Sequence, residues 1–222
     1  MLLSPRKRAP SARSLETKRR ILDAAERIFS EKGYDGSNLR EIATLADVPV
    51  GLVQHHGGNK EELFAKTVKR RAEELSDIRI RELEKLKQTG ELSVRTIMDC
   101  FLRTHFKLLT QDGPHWLYYG RLIAHVSANP KWQSLASECF DPTTHLFLDE
   151  ILKLHPLTVR SRAATGQIYS VAALLAFFNA SWRIETLSPG TTEMDIEDMI
   201  DFCVAGMETL LTKQSGHINH IL

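Results

Sequence analysis

The stretch from Leu39 to His56, LREIATLADVPVGLVQHH, constrains the chain most, because it reads as two short helices with only a tight turn between them. Ile42 and Ala46 lie four apart and so share one helix face, and the small Ala43 between them would let a second helix cross closely. Asn38 is suited to cap the first helix, with Glu41 three residues on completing a capping box. Asp47 tolerates a left-handed turn, and Pro49 suits the start of a new helix, where its missing N–H would be unpaired anyway. The second helix is predicted over Val50 to His56, with Val53 as its apolar anchor and Gly57-Gly58 as its stop. These are the parts of a helix-turn-helix DNA reader; on spacing alone, an ordinary helical hairpin would look the same.

The flanks separate the two. The segment TKRRILDAAERIFSEKGYDGSNLREIA, followed by ADVPVGLVQHHGGNKEELF, resembles the TetR family of bacterial transcriptional regulators from Thr17 to about Leu75. Three positions depart from the family pattern. Pro49 stands where Ser or Thr is usual, Gln54 where an aromatic approaches the DNA backbone, and Gly57 where a Phe packs under the recognition helix. The resemblance implies a two-part architecture, a dimer, a backbone-contacting role for His56 and a phosphate contact for Lys60. With Gly57 in place of Phe, the second helix is expected to be loosely held. The C-terminal half varies widely among such proteins, so the resemblance implies no particular ligand.

The rest of the chain reads as all-α. Residues 1–14 carry Pro5, Pro10 and four basic side chains with little to bury, and are expected to be a disordered basic arm. Over residues 1–20 seven basic side chains face Glu16 alone, a local excess of +6, so the remainder carries −5 of the net +1. A helix is predicted from Leu15 to Lys32, and a long one, capped by Asn59, to Gln88. The long helix has a stripe of Phe64, Val68, Ala72, Leu75 and Ile78, and its other faces, in RRAEELSDIRIRELEKLK, read as solvent-facing or as spanning two domains. Helices follow over 92–110, 115–128 and 130–140; Pro142 opens another to His155, Thr158 to Thr186 forms one long helix, and Glu193 to Lys213 the last. The expected domains are a helix-turn-helix DNA-binding domain at 15–62 and a larger helical bundle for effector binding and dimerisation at 63–222.

Several function classes find no support. No HExxH, GxSxG or glycine-rich phosphate loop is present, so the chain is not expected to be an enzyme or to hold a cofactor or metal. Cys100, Cys139 and Cys203 are far apart and odd in number, as in a reduced, cytoplasmic protein. The longest apolar run, Val171 to Phe178, is far short of the ~20 residues of a membrane span, and the first residues lack a signal-peptide core.

The candidate DNA contacts are Pro49, Val50, Gly51, Leu52, Gln54, His55 and His56 on the second short helix, with Gln54 able to make two hydrogen bonds to an adenine. That helix has no Lys or Arg, so phosphate contacts fall to Thr17, Lys18, Arg40 and Lys60. The candidate effector pocket draws on Phe101, His105, Trp116, Tyr119, Arg121, Ile123, His125, Phe147, Tyr169, Phe177, Asn179 and Trp182, each of which could equally fill a core. The candidate dimer interface uses Ala163, Gly166, Ser170 and Ala173 with Met199, Phe202, Gly206, Met207 and Leu210. Together these suggest a homodimeric repressor that leaves a palindromic operator on binding a small apolar or amphipathic effector. The alternative is a helical ligand-binding or redox-sensing module with weakened DNA binding.

Overall fold

The computed structural model describes residues 11–111, 113–190 and 195–213, with the backbone alone at 111 and 181. The chain divides into two compact units, Met1–Arg70 and Arg71–Leu222, so the division falls inside a helix. No β-strand occurs among the described residues, and no helix there is long and apolar enough to cross a membrane.

The first unit holds α1 (Ala12–Lys32), α2 (Leu39–Ala46), α3 (Val50–Gly57) and the start of α4 (Lys60–Thr89). Ser11 caps α1 by accepting from the Ser14 amide at 3.2 Å, so the helix begins at Ala12, and residues 12–14, expected in the arm, are helical. The rest of that arm, residues 1–10, lies outside the described residues. Gly33, at φ 69°, ends α1. Asn38 caps α2 as expected, but Glu41 Oε1 accepts from Lys32 Nζ at 2.9 Å. The reciprocal capping box instead closes at Asn59 and Glu62, each side chain bonded to the other's amide at 2.9 Å.

Ile21, Ala25, Phe29, Ile42, Val53, Leu63 and Phe64 form the buried centre of this unit. Phe64 meets Phe29 edge-on at 5.0 Å and Tyr34 at 5.4 Å. Around that centre, Arg70 reaches back to α1, with Nη1 2.8 Å from Asp23 Oδ1 and Nη2 bonded to Glu26, which is only 1% exposed.

The second unit contains the remainder of α4, α5 (Val94–Gln111), α6 (Pro114–Ala128), a single 3-10 turn at Pro130–Trp132, α7 (Gln133–Leu154), α8 (Arg160–Asn179), α9 (Ser181–Leu187) and α10 (Ile196–Thr212). Its main core joins Ile97, Met98, Phe101 and Leu102 of α5 to Phe147 and Ile151 of α7, and to Ile200, Cys203 and Met207 of α10.

Two boundaries differ from expectation. Pro142 lies inside α7 instead of opening a helix. An interior proline removes one helical hydrogen bond and costs about 3 kcal/mol. Here apolar anchors on both sides of it, Leu135 before and Phe147, Leu148 and Ile151 after, hold the two halves in line. The predicted helix from Thr158 to Thr186 is two helices, because Ala180 leaves the helical region at φ −125° and ψ 15°.

Arg70→Ala removes the cation facing a buried carboxylate. The expected cost is about 3 kcal/mol, read as a lower urea midpoint, with Arg70→Lys recovering part of it. A loss under about 0.5 kcal/mol would mean that solvent already screens the pair.

Candidate nucleic-acid interface and internal cavity

α3 hangs on Val53, which is fully buried, while Val50, Gly51, Leu52, Gln54 and His55 turn outward. The turn before it is set by Asp47 at φ 51° and ψ 56°, in the left-handed region. Arg20 pins that turn by donating to the carbonyls of Ala46 and Asp47, the latter at 2.8 Å. Pro49 takes the cap position of α3 and is exposed. At the other end, Lys66 Nζ donates to the carbonyl oxygens of His56 (3.3 Å) and Gly57 (2.9 Å), satisfying groups that a helix end leaves open. Neither Arg20 nor Lys66 stands out in the sequence, because each looks like surface charge until the fold closes.

The loose packing expected at Gly57 is not found. Gly57 is buried, and a Cβ there would come 2.8 Å from Leu63 Cδ1. The Leu63 side chain occupies the place that the resemblance assigns to Phe.

His56 is half-buried, its ring 5.0 Å from that of His55. Partial burial, then the neighbouring His55 and Lys18, hold its pKa below the ordinary histidine value, which favours the neutral ring. Lys18 and Arg40 are exposed, and Thr17 is half-buried with its hydroxyl donating to the Arg13 carbonyl at 2.9 Å. Lys60 is engaged within the unit, lying 4.5 Å above the Tyr34 ring and donating to the Asp35 carbonyl at 3.3 Å.

The second unit contains a partly open cavity of about 420 Å³ between α4, α5, α6, α7 and α8. Of the twelve expected pocket residues, Phe101, His105, Tyr119 and Ile123 line it. The other eight do not. Trp116 packs in the core against Tyr119 at 5.7 Å, and Phe147 against Phe101 at 5.0 Å. Arg121 and His125, four apart, share an exposed face of α6, while the adjacent Leu122 and Val126 turn inward and are buried. Tyr169 and Trp182 are 66% and 60% exposed, Asn179 is exposed, and Phe177 stacks edge-on against Phe106 and Phe178.

The cavity's polar groups come instead from residues that sequence reasoning missed. Arg79, read as part of a solvent-facing run, is buried in the wall. Its Nε donates to the Phe101 carbonyl at 3.0 Å, and its guanidinium lies 3.5 Å from the centre of the Phe101 ring. Burial lowers its pKa to about 9, which leaves it charged at pH 7. His105 is also buried, and desolvation together with Arg79 holds it well below the ordinary histidine value, so it is neutral.

The expected dimer residues separate into two groups. Ala163, Gly166, Ser170, Met199 and Met207 are buried within the chain where α8 packs on α10; a Cβ at Gly166 would lie 2.6 Å from Met207 Sδ. The small size of Ala163, Gly166 and Ser170 serves this seam, so these five residues are not free for a partner. Phe202 is 73% exposed, Gly206 is exposed with open space where a Cβ would be, and Ala173 and Leu210 are half-buried. Ile168, Tyr169 and Ala172 of α8 are also exposed.

No disulfide joins any of the three cysteines. Desolvation raises Cys100 to about 11 and raises Cys203 too, which disfavours the reactive thiolate that redox sensing needs.

Two family models match the chain: "Bacterial regulatory proteins, tetR family" over residues 21–67, and "Tetracyclin repressor-like, C-terminal domain" over residues 99–206. The HTH-type transcriptional repressor AcnR of Corynebacterium efficiens is 30% identical over 168 residues, covering 71% of this chain and 87% of that protein. The biofilm operon icaADBC negative transcriptional regulator IcaR of Staphylococcus epidermidis is 41% identical over 51 residues, 23% of this chain and 28% of that one. The chain spans less than half the length of this and other curated relatives that it matches over shorter stretches. Among solved structures, the transcriptional regulator FadR of Bacillus subtilis, in complex with stearoyl-CoA, shares the fold. Its TM-score is 0.61 at 19% identity, over 87% of this chain and 97% of that one.

The packing at Gly57 can be checked directly. Gly57→Phe is expected to destabilise by about 1–3 kcal/mol, because the ring must displace Leu63 from a filled site. Adding Leu63→Ala should restore part of the loss in chemical denaturation. A Gly57→Phe variant as stable as the parent would mean that the site holds spare room.

Proposed function

Because the chain belongs to the TetR family of bacterial transcriptional regulators, we propose that it represses transcription from a near-palindromic operator and leaves it when a small amphipathic molecule enters the cavity of the second unit. The observation that carries this reading is the exposed face of α3, Val50 to His55, held out on the buried Val53. In this reading Gln54 reads a base in the major groove, Gly51 allows close approach, and Val50 or Leu52 meets a thymine methyl. Lys18, Arg40 and the neighbouring Thr17, His56 and Lys60 work on the phosphates, since α3 has no cation of its own. α4 supports a route between effector and DNA. It gives Leu63, Phe64 and Val68 to the core of the first unit, and Leu75 and Arg79 to the cavity wall of the second.

A homodimer suits this role, because two recognition helices one duplex turn apart read a near-palindrome. The exposed faces of α8 (Ile168, Tyr169, Ala172) and α10 (Phe202, Gly206) are the surfaces that would form a four-helix contact about a two-fold axis.

Fluorescence anisotropy of the full chain with the DNA upstream of its own gene tests the reading. Saturable, sequence-selective binding is expected, and binding no tighter than to random DNA would overturn it. Gln54→Ala should cost about 1–3 kcal/mol at one base pair and relax preference there. An equal loss at every position would make Gln54 a backbone contact. Phe202→Glu places a charge on an already exposed position, so the chain should stay helical by circular dichroism. In sedimentation it should run as a monomer with weak operator affinity, whereas a variant that still dimerises would move the interface elsewhere.

A further inference from the structure

The cavity wall contains a cation that no carboxylate neutralises among the described residues. Arg79 is 9% exposed, and among the described residues no carboxylate pairs with it. Its contacts are the Phe101 carbonyl, through Nε, and the Phe101 ring, so the planar fork of Nη donors has no acceptor among those residues. Asp141 is the other charged side chain in the lining, and it is exposed to water. Gln167 also lies in the wall, 1% exposed, and neither its Oε1 nor its Nε2 has a hydrogen-bond partner. His105 Nε2 is in the same condition. A buried cation with no counter-charge and a buried amide with no hydrogen-bond partner are each costly, and such groups are uncommon unless something else satisfies them. The rest of the lining is largely apolar, including Ile123, Phe140 and Leu174.

We infer that this cavity binds an amphiphile with a single carboxylate, its head on Arg79 and Gln167 and its hydrocarbon part along Ile123, Phe140 and Leu174. The inference rests on the reading of the cavity as an effector site and gives that effector a chemical class. The guanidinium fork fits a carboxylate with two parallel hydrogen bonds, and the Gln167 amide can donate a further one. One buried cation offsets one negative charge. A dianionic head such as a phosphate monoester would carry an excess charge into a low-dielectric wall, so a monoanion is favoured. A neutral alcohol would fill the apolar part equally well but leave the guanidinium without a counter-charge.

The test is calorimetric titration of the full chain with straight-chain carboxylates from octanoate to palmitate, each below its micelle concentration, and with the primary alcohols of equal length. At the best chain length the acid should bind at least roughly tenfold tighter than its alcohol, the ratio expected of a charge-assisted pair. Arg79→Met keeps the volume and the apolar contact with Phe101, and should bind acid and alcohol alike. Arg79→Lys, which keeps the charge without the fork, should give an intermediate ratio and serves if the methionine variant does not fold. Equal affinity for acid and alcohol in the parent overturns the inference while leaving an effector site in place, and no binding by any member of the series overturns it as well. Operator release is measured separately by anisotropy. An acid that binds with an Arg79-dependent preference but does not release DNA upholds the inference and overturns the effector reading.

Discussion

An eight-residue helix cannot hold itself together in water, and α3 is eight residues long. Everything that α3 presents therefore depends on what its neighbours impose. Val53 supplies the apolar anchor. Arg20 fixes the turn before it, Lys66 ties down the carbonyls at its end, and Leu63 fills the space beside Gly57. These supports come from α1 and from the first two turns of α4, so the exposed face is set by the aromatic contact that joins those helices, Phe64 against Phe29 and Tyr34. Arg70 adds a second tie from α4 to α1 through Asp23 and Glu26. Lys60 belongs to the same scaffold through Tyr34 and Asp35, so any phosphate contact it makes must compete with contacts already formed.

The punctuation of the first unit was legible because local chemistry decides it. Gly33, lacking a Cβ, and Asn38 and Asp47, through their short polar side chains, each take a conformation that their residue type favours, and no tertiary contact has to overrule them. Pro142 and Ala180 were misread for the opposite reason. A proline normally marks a boundary, yet burial on both sides of Pro142 outweighs the lost hydrogen bond. An alanine, the best helix former, gives no sign of a break, yet the helix stops at Ala180. Propensity is worth tenths of a kcal/mol per residue, and packing several kcal/mol per side chain, so packing wins where the two disagree.

The cavity was legible in its aromatic part and hidden in its polar part. Phe101, Tyr119 and Ile123 stood out as large apolar groups at helical spacing, and such residues are buried in most folds. Spacing could not say which of them would face a cavity and which would fill the core, and Trp116 and Phe147 took the second place. Arg79 stayed hidden because it sits in a run of alternating charges, where burial of one member cannot be inferred from its neighbours. Its position is nonetheless consistent with α4's apolar stripe, since Ala72, Leu75 and Arg79 recur at three- and four-residue steps. The cation occupies a place on that stripe where the pattern calls for a leucine.

α8 shows why a helix can lack a clear apolar side and still be well placed. Successive residues turn by about 100°, so its sides face different demands. Ala163, Gly166 and Ser170 form the seam with α10, where small side chains let Met207 come close. Gln167, Val171 and Leu174 turn to the cavity, Ile168 lines its rim while staying 62% exposed, and Tyr169 and Ala172 carry the surface round to the outside. Apolar residues are needed on the first two sides for burial within the chain. On the third side they stand uncovered among the described residues, and this exposure is the physical basis for expecting a second copy there. The small residues that invite close helix approach are used up inside the protomer. A contact between copies would have to rest on Ile168, Tyr169 and Phe202, large side chains whose burial is worth about 1.5–3 kcal/mol each, and not on backbone proximity.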